Sequence, residues 1–129
     1  MAGETDLALL LRGMEPVLHP DPWGFAVWSG QALPEAGFAL IRETEGMTLI
    51  APVAALHALA LEPGPMMARI SLTIHSALEA VGLTAAIAGA LAAEGISANV
   101  VAGFHHDHVF LPWHRREAAM TALRGLAQG

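Results

Sequence analysis

The sequence contains no cysteine and no lysine, and few of its residues are aromatic or charged. The absence of cysteine excludes disulfides, thiolate metal ligands and cysteine nucleophiles. The six basic residues are all arginine and face twelve acidic residues, so the formal net charge is −6. Because a nucleic-acid interface needs a basic surface to contact phosphates, we expect no nucleic-acid partner.

Long apolar runs are also missing. No run approaches the ~18–20 uncharged residues of a transmembrane helix, and the first residues lack the basic region of a signal peptide. We therefore expect no membrane partner and a cytoplasmic location. Apolar residues are nevertheless abundant, at 54% of the chain. This excess indicates either a buried subunit interface, most simply in a homodimer, or an alanine-rich coding bias.

The first half of the chain reads as alternating short strands and helices. Five apolar residues at Leu7–Leu11 suit a buried strand better than a helix, although periodicity alone does not separate the two. Prolines 20 and 22 limit Met14–His19 to about one helical turn. The pattern then predicts a strand at Trp23–Ser29, a hairpin of Phe38–Thr44 and Met47–Ala51, and a helix that begins at Pro52.

The second half repeats this order. Arg69–His75 alternates apolar and polar residues, which predicts a strand with one face in the core. A helix follows, with Thr84 as its N-cap and Gly95 as its stop. The pattern then predicts a strand at Asn99–Phe104, a turn at His105–Asp107, a strand at His108–Leu111, and a helix that begins at Pro112 with a stripe of Ala119, Met120, Leu123 and Leu126.

The two halves therefore look like a duplication. Each reads βαββα, and the helix-opening prolines, Pro52 and Pro112, stand 60 positions apart. A further strand would complete each half as a βαββαβ, ferredoxin-like sandwich. We predict an α+β protein with antiparallel sheets and two such domains, residues 1–65 and 66–129. The second half lacks a fourth strand, and Leu7–Leu11 could fill that edge.

One stretch also resembles a known family. The run SALEAVGLTAAIAGALAAEGISANVVA at residues 76–102, followed by FHHDHVFLP, resembles the ACT-domain proteins. Within that family it is similar to the small tandem-ACT bacterial group related to the arginine-sensing CASTOR proteins. The resemblance implies a non-catalytic regulatory or sensor protein that binds an amino acid at an interface between two ACT domains.

The resemblance also implies where the ligand would lie. Gly82 matches the glycine that lets the backbone approach a ligand where the first strand meets the first helix. Gly103, Phe104 and Asp107 match the end of the second strand and its turn. The predicted ligand-binding residues are Ser76, Ala77, Glu79, Gly82, Leu83, Thr84, Asn99, Gly103, Phe104 and Asp107.

The loop and helix start at Ser76–Thr84 also suit an amino-acid ligand on physical grounds, independently of the resemblance. A helix N-terminus offers unpaired N–H groups that suit a carboxylate. An α-amino acid also needs an acceptor for its ammonium group, which Asp107 or Glu79 could supply. The alternative is a tight strand–helix connection in which Gly82 serves only the turn.

The four residues from His105 to His108 are the conspicuous cluster of the chain. Imidazole and carboxylate groups bind first-row metals, and His106 and His108 would share one strand face. A polar hairpin turn explains the same residues, with Asp107 as the turn-former. We predict no metal site and no cofactor. A metal-binding protein that uses this cluster, and an interaction module whose pocket Leu78, Val81 and Leu83 plug, are the alternatives.

Overall fold

The computed structural model describes residues 6–73 and 81–128. They form two compact units. The larger unit comprises the described residues up to His19 and those from Ala68 onward. The smaller unit comprises Pro20–Met67. These contact units divide the chain differently from the sequence halves 1–65 and 66–129, because the first elements pack with the second half.

The elements are numbered in chain order. They are α1 (Leu7–Gly13), β1 (Pro16–Leu18), β2 (Trp23–Trp28), β3 (Ala39–Glu43), β4 (Gly46–Pro52), α2 (Val53–Ala58), β5 (Met67–Leu72), α3 (Leu83–Ala93), β6 (Asn99–Ala102), β7 (Asp107–Pro112) and α4 (Arg116–Gln128). One turn of 3₁₀ helix at Trp113–Arg115 leads into α4.

The larger unit contains a four-stranded sheet in the order β1–β5–β7–β6. Strand β1 is antiparallel to β5, and β6 is antiparallel to β7. The βαββα run from β5 to α4 therefore gains its fourth strand from β1, as a ferredoxin-like sandwich requires. The predicted fold class is confirmed.

The identity of that strand was predicted wrongly. Leu7–Leu11 lies in helix α1, and Pro16–Leu18, which we expected in a helical turn, forms β1. Asp6 accepts a hydrogen bond from the Leu9 amide over 3.2 Å and so caps α1. Pro16 is tolerated in β1 because the strand lies at the edge of the sheet.

The sheet of the larger unit has two different faces. One, the helix face, carries the core residues of β5 and β7, which pack with Leu10, Leu83, Ile87, Leu91 and Leu123 from the helices. The other, the polar face, carries the residues that alternate with them. On β5 the helix face consists of Ala68, Ile70 and Leu72, and the polar face of Arg69 and Ser71.

The ends of the helices follow from particular residues. Gly82, with φ at +93°, is the N-cap of α3 and offers no side-chain hydrogen bond, so the prediction of Thr84 as the cap is wrong. Gly95, with φ at +71°, stops the helix as predicted. The predicted stripe of α4 is confirmed at Ala119, Met120 and Leu123, which are buried.

The smaller unit consists of β2, β3, β4 and α2, with sheet order β3–β4–β2. Thr44 and Glu45 form the turn of the predicted hairpin, and Glu43 pairs with Gly46 across it. The core of this unit is Ala26, Leu49, Ala51 and Leu56. The first residue of β5, Met67, pairs with Trp23 in this unit, and the rest of β5 belongs to the larger one.

No helix in the described ranges is both long enough and apolar enough to span a membrane.

Candidate functional site

The hairpin between β6 and β7 forms one edge of the candidate site. Its loop runs from Gly103 to His106, and the Gly103 amide donates a hydrogen bond to the His106 carbonyl over 2.8 Å. Ala102 pairs with Asp107 at the base of this loop. The turn predicted at His105–Asp107 is therefore displaced, because Asp107 is already the first residue of β7.

Asp107 and His108 face opposite sides of the sheet, because successive side chains of a strand alternate. Val109, which shares a side with Asp107, is fully buried in the helix-face core. Val101 pairs with His108 on the polar face. The predicted site residues at this hairpin therefore divide between two faces rather than lining a single wall.

Four side chains on the polar face are joined by hydrogen bonds, and we call them the polar row: His19, Arg69, Ser71 and His108. The Nε2 atom of His19 lies 2.9 Å from Ser71 Oγ. Ser71 Oγ in turn lies 3.0 Å from Nδ1 of His108. Arg69 Nη2 reaches the same Nδ1 atom over 3.2 Å. All four residues are half-buried.

The donors and acceptors of the polar row can be assigned from chemistry. A guanidinium has only donors, so Nδ1 of His108 must accept, and a neutral His108 then carries its proton on Nε2. The Ser71 hydroxyl also approaches Nδ1, so it donates there and its oxygen accepts from Nε2–H of His19. The result is a directed chain in which Arg69 fixes the tautomer of His108.

Burial acts on the titratable groups of both faces. The pKa of His108 is lowered to about 4, chiefly by burial. The positive charge of Arg69 acts in the same direction, as does the proximity of His106 and His19. Burial also lowers the pKa of His19, and Arg69 adds to that effect. On the helix face, burial raises the pKa of Asp107 and His106 opposes the rise. Both histidines of the polar row are thus held neutral at pH 7.

The start of α3 was predicted to approach the ligand through Gly82. A Cβ atom at Gly82 would lie 3.2 Å from Cδ2 of Leu7 in α1. The space that the glycine leaves is therefore filled by a leucine. Leu83 is only 3% exposed and lies in the core, whereas Thr84 is exposed. The predicted residues Ser76, Ala77 and Glu79 lie outside the described residues.

The structure brings some predicted residues together and separates others. The Ser71–His108 contact joins the end of β5 to the start of β7. The hairpin loop therefore lies at the end of the sheet where β5 ends. It includes Gly103 and Phe104, whose side chain is 68% exposed. Asn99 begins β6 and pairs with Phe110, so it lies at the opposite end of that strand.

Sequence reasoning missed the polar row. The alternation of β5 did indicate that Arg69 and Ser71 share a less apolar face, and that was the available signal. There was no such signal for His19, because its segment was expected to be helical and no pattern aligned it with β5. The backbone bond from the His19 amide to the Arg69 carbonyl, 3.0 Å, creates this proximity.

The histidine-rich turn forms no cluster of metal ligands with any other residue that the structure describes. Within residues 6–73 and 81–128, no three histidine, aspartate or glutamate side chains converge as a metal ion would require. His106 lies in the loop rather than on the same strand face as His108. Its neighbour His105 packs edge-on against Phe104, with ring centroids 5.1 Å apart.

Comparison with known families matches this architecture. An ACT-domain model matches residues 2–63, and a second ACT-domain model matches residues 69–125. The chain therefore belongs to the ACT-domain family and carries two such domains in tandem. ACT domains are regulatory, non-catalytic modules. Among curated proteins, none matches the sequence significantly.

Solved structures share the fold over nearly the whole chain. A Vibrio cholerae protein of unknown function, described as a possible transport protein, is 41% identical, with a TM-score of 0.81 over 95% of this chain and 97% of its own. An Agrobacterium tumefaciens protein is 18% identical, with a TM-score of 0.70 over 88% and 89%. The ligand-free regulatory subunit of aspartate kinase from Thermus thermophilus is 15% identical, with a TM-score of 0.61 over 86% and 95%.

Proposed function

We propose that this protein is a regulatory module that binds a free amino acid at an interface between ACT domains, with the β6–β7 hairpin contributing to the site. The observation that carries the proposal is the presence of two ACT domains in tandem. The likeness in fold to an aspartate kinase regulatory subunit supports a regulatory role. The relation to the CASTOR proteins and the cytoplasmic location stay predictions.

The hairpin supplies a group suited to the ammonium of an amino acid. Asp107 is half-buried at the start of β7, where its carboxylate can accept a charge-assisted hydrogen bond. A cation beside it would offset the burial that raises the pKa of this residue. The ligand would thus stabilise the charged form of Asp107 and be held by it.

Regulation requires that the bound state differ from the free one in its assembly or shape. We propose that the protein forms a homodimer and that the amino acid is bound between ACT domains of the two copies. Differential affinity of the ligand for two arrangements of the dimer would then shift their populations. Light scattering with and without the stabilising amino acid tests this part of the proposal.

A thermal-shift panel of the twenty amino acids tests the binding. An amino acid at about 100 times its Kd stabilises the folded state by about 2.7 kcal/mol, which raises the melting temperature by several degrees. The D107N variant should lose this shift, and E117Q, a matched change at an exposed position of α4, should keep it. If no amino acid shifts the wild-type protein, the proposal is wrong.

A further inference from the structure

The β3–β4 hairpin of the smaller unit carries a pair of residues that corresponds to the pair at the base of the β6–β7 hairpin. Arg42 pairs with Met47 in the first hairpin, and Ala102 pairs with Asp107 in the second. Both members of the second pair lie 60 positions after those of the first, which is also the spacing of the two helix-opening prolines. The corresponding pair therefore contains a cation in the first ACT domain and an anion in the second.

Arg42 lies on the face of the sheet that packs against α2. Leu40, two residues earlier on β3, packs against the core of this unit, and side chains two apart in a strand share a face. Glu43 is on the opposite face, where it accepts a hydrogen bond from the Thr48 hydroxyl. Arg42 is the only lysine or arginine in Pro20–Met67, which contains five acidic residues. No hydrogen bond or ion pair joins its guanidinium to another residue within the parts of the chain that the structure describes.

A cleft of about 460 Å³ opens beside this arginine. Ser29, Gly30 and Gln31 line it from the loop after β2, and Arg42 and Met47 line it from the hairpin. No acidic residue is among these five described residues. The guanidinium, hydroxyl and amide groups supply hydrogen-bond donors, and the thioether side chain of Met47 supplies an apolar wall. The volume is in the range of clefts that bind small organic molecules.

The loop that lines the cleft is held in place by Trp28. The Nε1 atom of its indole donates a hydrogen bond of 3.1 Å to the Ala32 carbonyl. A Cβ atom at Gly30 would lie 2.5 Å from Cζ2 of the same ring, so the indole packs directly against the glycine backbone. Met47 pairs with both Trp28 and Arg42, which places these three side chains in one row across the sheet. The cleft is therefore formed before a ligand arrives, which lowers the entropic cost of binding.

We propose that this cleft is a second binding site, which takes the carboxylate or phosphate group of a small organic anion through Arg42. A guanidinium binds either group through two parallel hydrogen bonds. Ser29 and Gln31 donate to the same group, and Met47 contacts the apolar part of the ligand. The inference goes beyond the proposed function, because the site lies in the first ACT domain and prefers the opposite charge to Asp107.

An NMR titration tests where the anion binds. The backbone amide and arginine Nε–H signals of isotope-labelled protein are followed while sodium chloride is replaced by sodium phosphate or sodium malonate at constant pH and ionic strength. We expect saturable shifts at Gly30, Gln31 and Arg42, and the tighter of the two probes identifies phosphate or carboxylate as the preferred group. No saturable shift at these residues with either probe overturns the inference.

Variants of the arginine test its role as the contacting group. R42M should bind the tighter probe about 10–100-fold more weakly, as the loss of charge-assisted hydrogen bonds predicts. R42K keeps the charge without the two-pronged geometry and should lie between R42M and wild type. The matched control R124M, which removes an exposed arginine from α4, should bind like wild type. An R42M variant that is folded and binds the probe as tightly as wild type overturns the inference.

The outcome is separate from that of the amino-acid panel. R42M should keep the amino-acid thermal shift that D107N loses, because the two variants lie in different ACT domains. A panel in which no amino acid binds contradicts the proposed function and leaves the anion site standing.

Discussion

Asp107 and His108 are neighbours in sequence, both half-buried, and lie on opposite faces of one sheet. Burial raises the pKa of the aspartate and lowers that of the histidine, so both are driven towards their neutral forms. Their surroundings differ, however. His108 is tied to Ser71 and Arg69 by hydrogen bonds of 3.0 and 3.2 Å, whereas the side of Asp107 continues into the helix-face core at Val109.

The difference teaches what each face contributes. The helix face holds the fold together through apolar contact, which is roughly proportional to buried area and has little directional preference. The polar face contributes less burial but fixes the orientation of specific donors, because hydrogen bonds require both distance and angle. Truncations in the helix-face core should therefore lower stability most, and variants of the polar row should change mainly how stability depends on pH.

The largest expected effect comes from a pair of valine truncations. Val109 on the helix face is fully buried, and Val101 on the polar face is half-buried. Removing the side-chain methyl groups in V109A should cost about 2–3 kcal/mol of unfolding free energy, the sum of lost transfer energy and a cavity. V101A should cost less than about 1 kcal/mol by the same reasoning. Urea denaturation measures both, and equal losses would contradict the division into faces.

A smaller effect is expected from alanine at Gly103. The new Cβ would lie 2.9 Å from the His106 carbonyl oxygen and near the His108 ring, so the hairpin must shift. Overpacking of this kind costs about 1–3 kcal/mol. The matched control is G89A in α3, where a Cβ meets no atom within 4 Å and should add about 0.5–1 kcal/mol through better helix propensity. Opposite signs in thermal denaturation are the expected result.

Acid should destabilise the protein through the polar face. His108 has a pKa near 6.5 in the unfolded chain and about 4 in the folded one. Between these values the unfolded state binds the proton first, so stability is complete above pH 6.5 and falls as the pH decreases towards 4. After discounting for solvent screening, we expect a loss of about 1–2 kcal/mol. His19, whose pKa is also lowered, adds to it.

Variants at the two neighbours should change this profile in opposite directions. H108Q removes the titrating ring and should flatten the loss between pH 6.5 and 4. Asp107 has a raised pKa, so protonation in acid favours the folded state and partly offsets the loss. D107N should therefore steepen the profile. Denaturation at a series of pH values measures both, and parallel profiles for wild type and H108Q would show that His108 does not carry the effect.

Much of the fold could be predicted because strand alternation and helix stops are local signals. The core face of β5 and the stop at Gly95 are examples. The first two elements could not be assigned this way. An apolar run of five residues fits a strand or a helix, and only the cap at Asp6 indicates the latter. Pro16–Leu18 is a strand because β5 offers an open edge, which is a property of the assembled sheet.

The candidate site shows the same limit. Gly103 and Asp107 could be proposed from the resemblance because they belong to a contiguous hairpin. The polar row could not, since His19 and Ser71 are 52 positions apart in sequence and meet only through the pairing of β1 with β5. The contact of Leu7 with Gly82 could not be predicted from the sequence either, because it depends on how α1 packs in the folded chain.

The smallest expected effect is at Asn99, which the resemblance placed among the ligand-binding residues. It begins β6, a strand length of about 13 Å from the hairpin loop at 3.3 Å per residue, and its amide donates a weak hydrogen bond of 3.4 Å to the Phe110 carbonyl. N99A should therefore change the unfolding free energy by no more than about 0.5 kcal/mol, as for most surface positions. Thermal shifts with the stabilising amino acid should equal those of wild type. A lost shift in N99A would mean that the ligand contacts the far end of β6, and that the site extends beyond the hairpin.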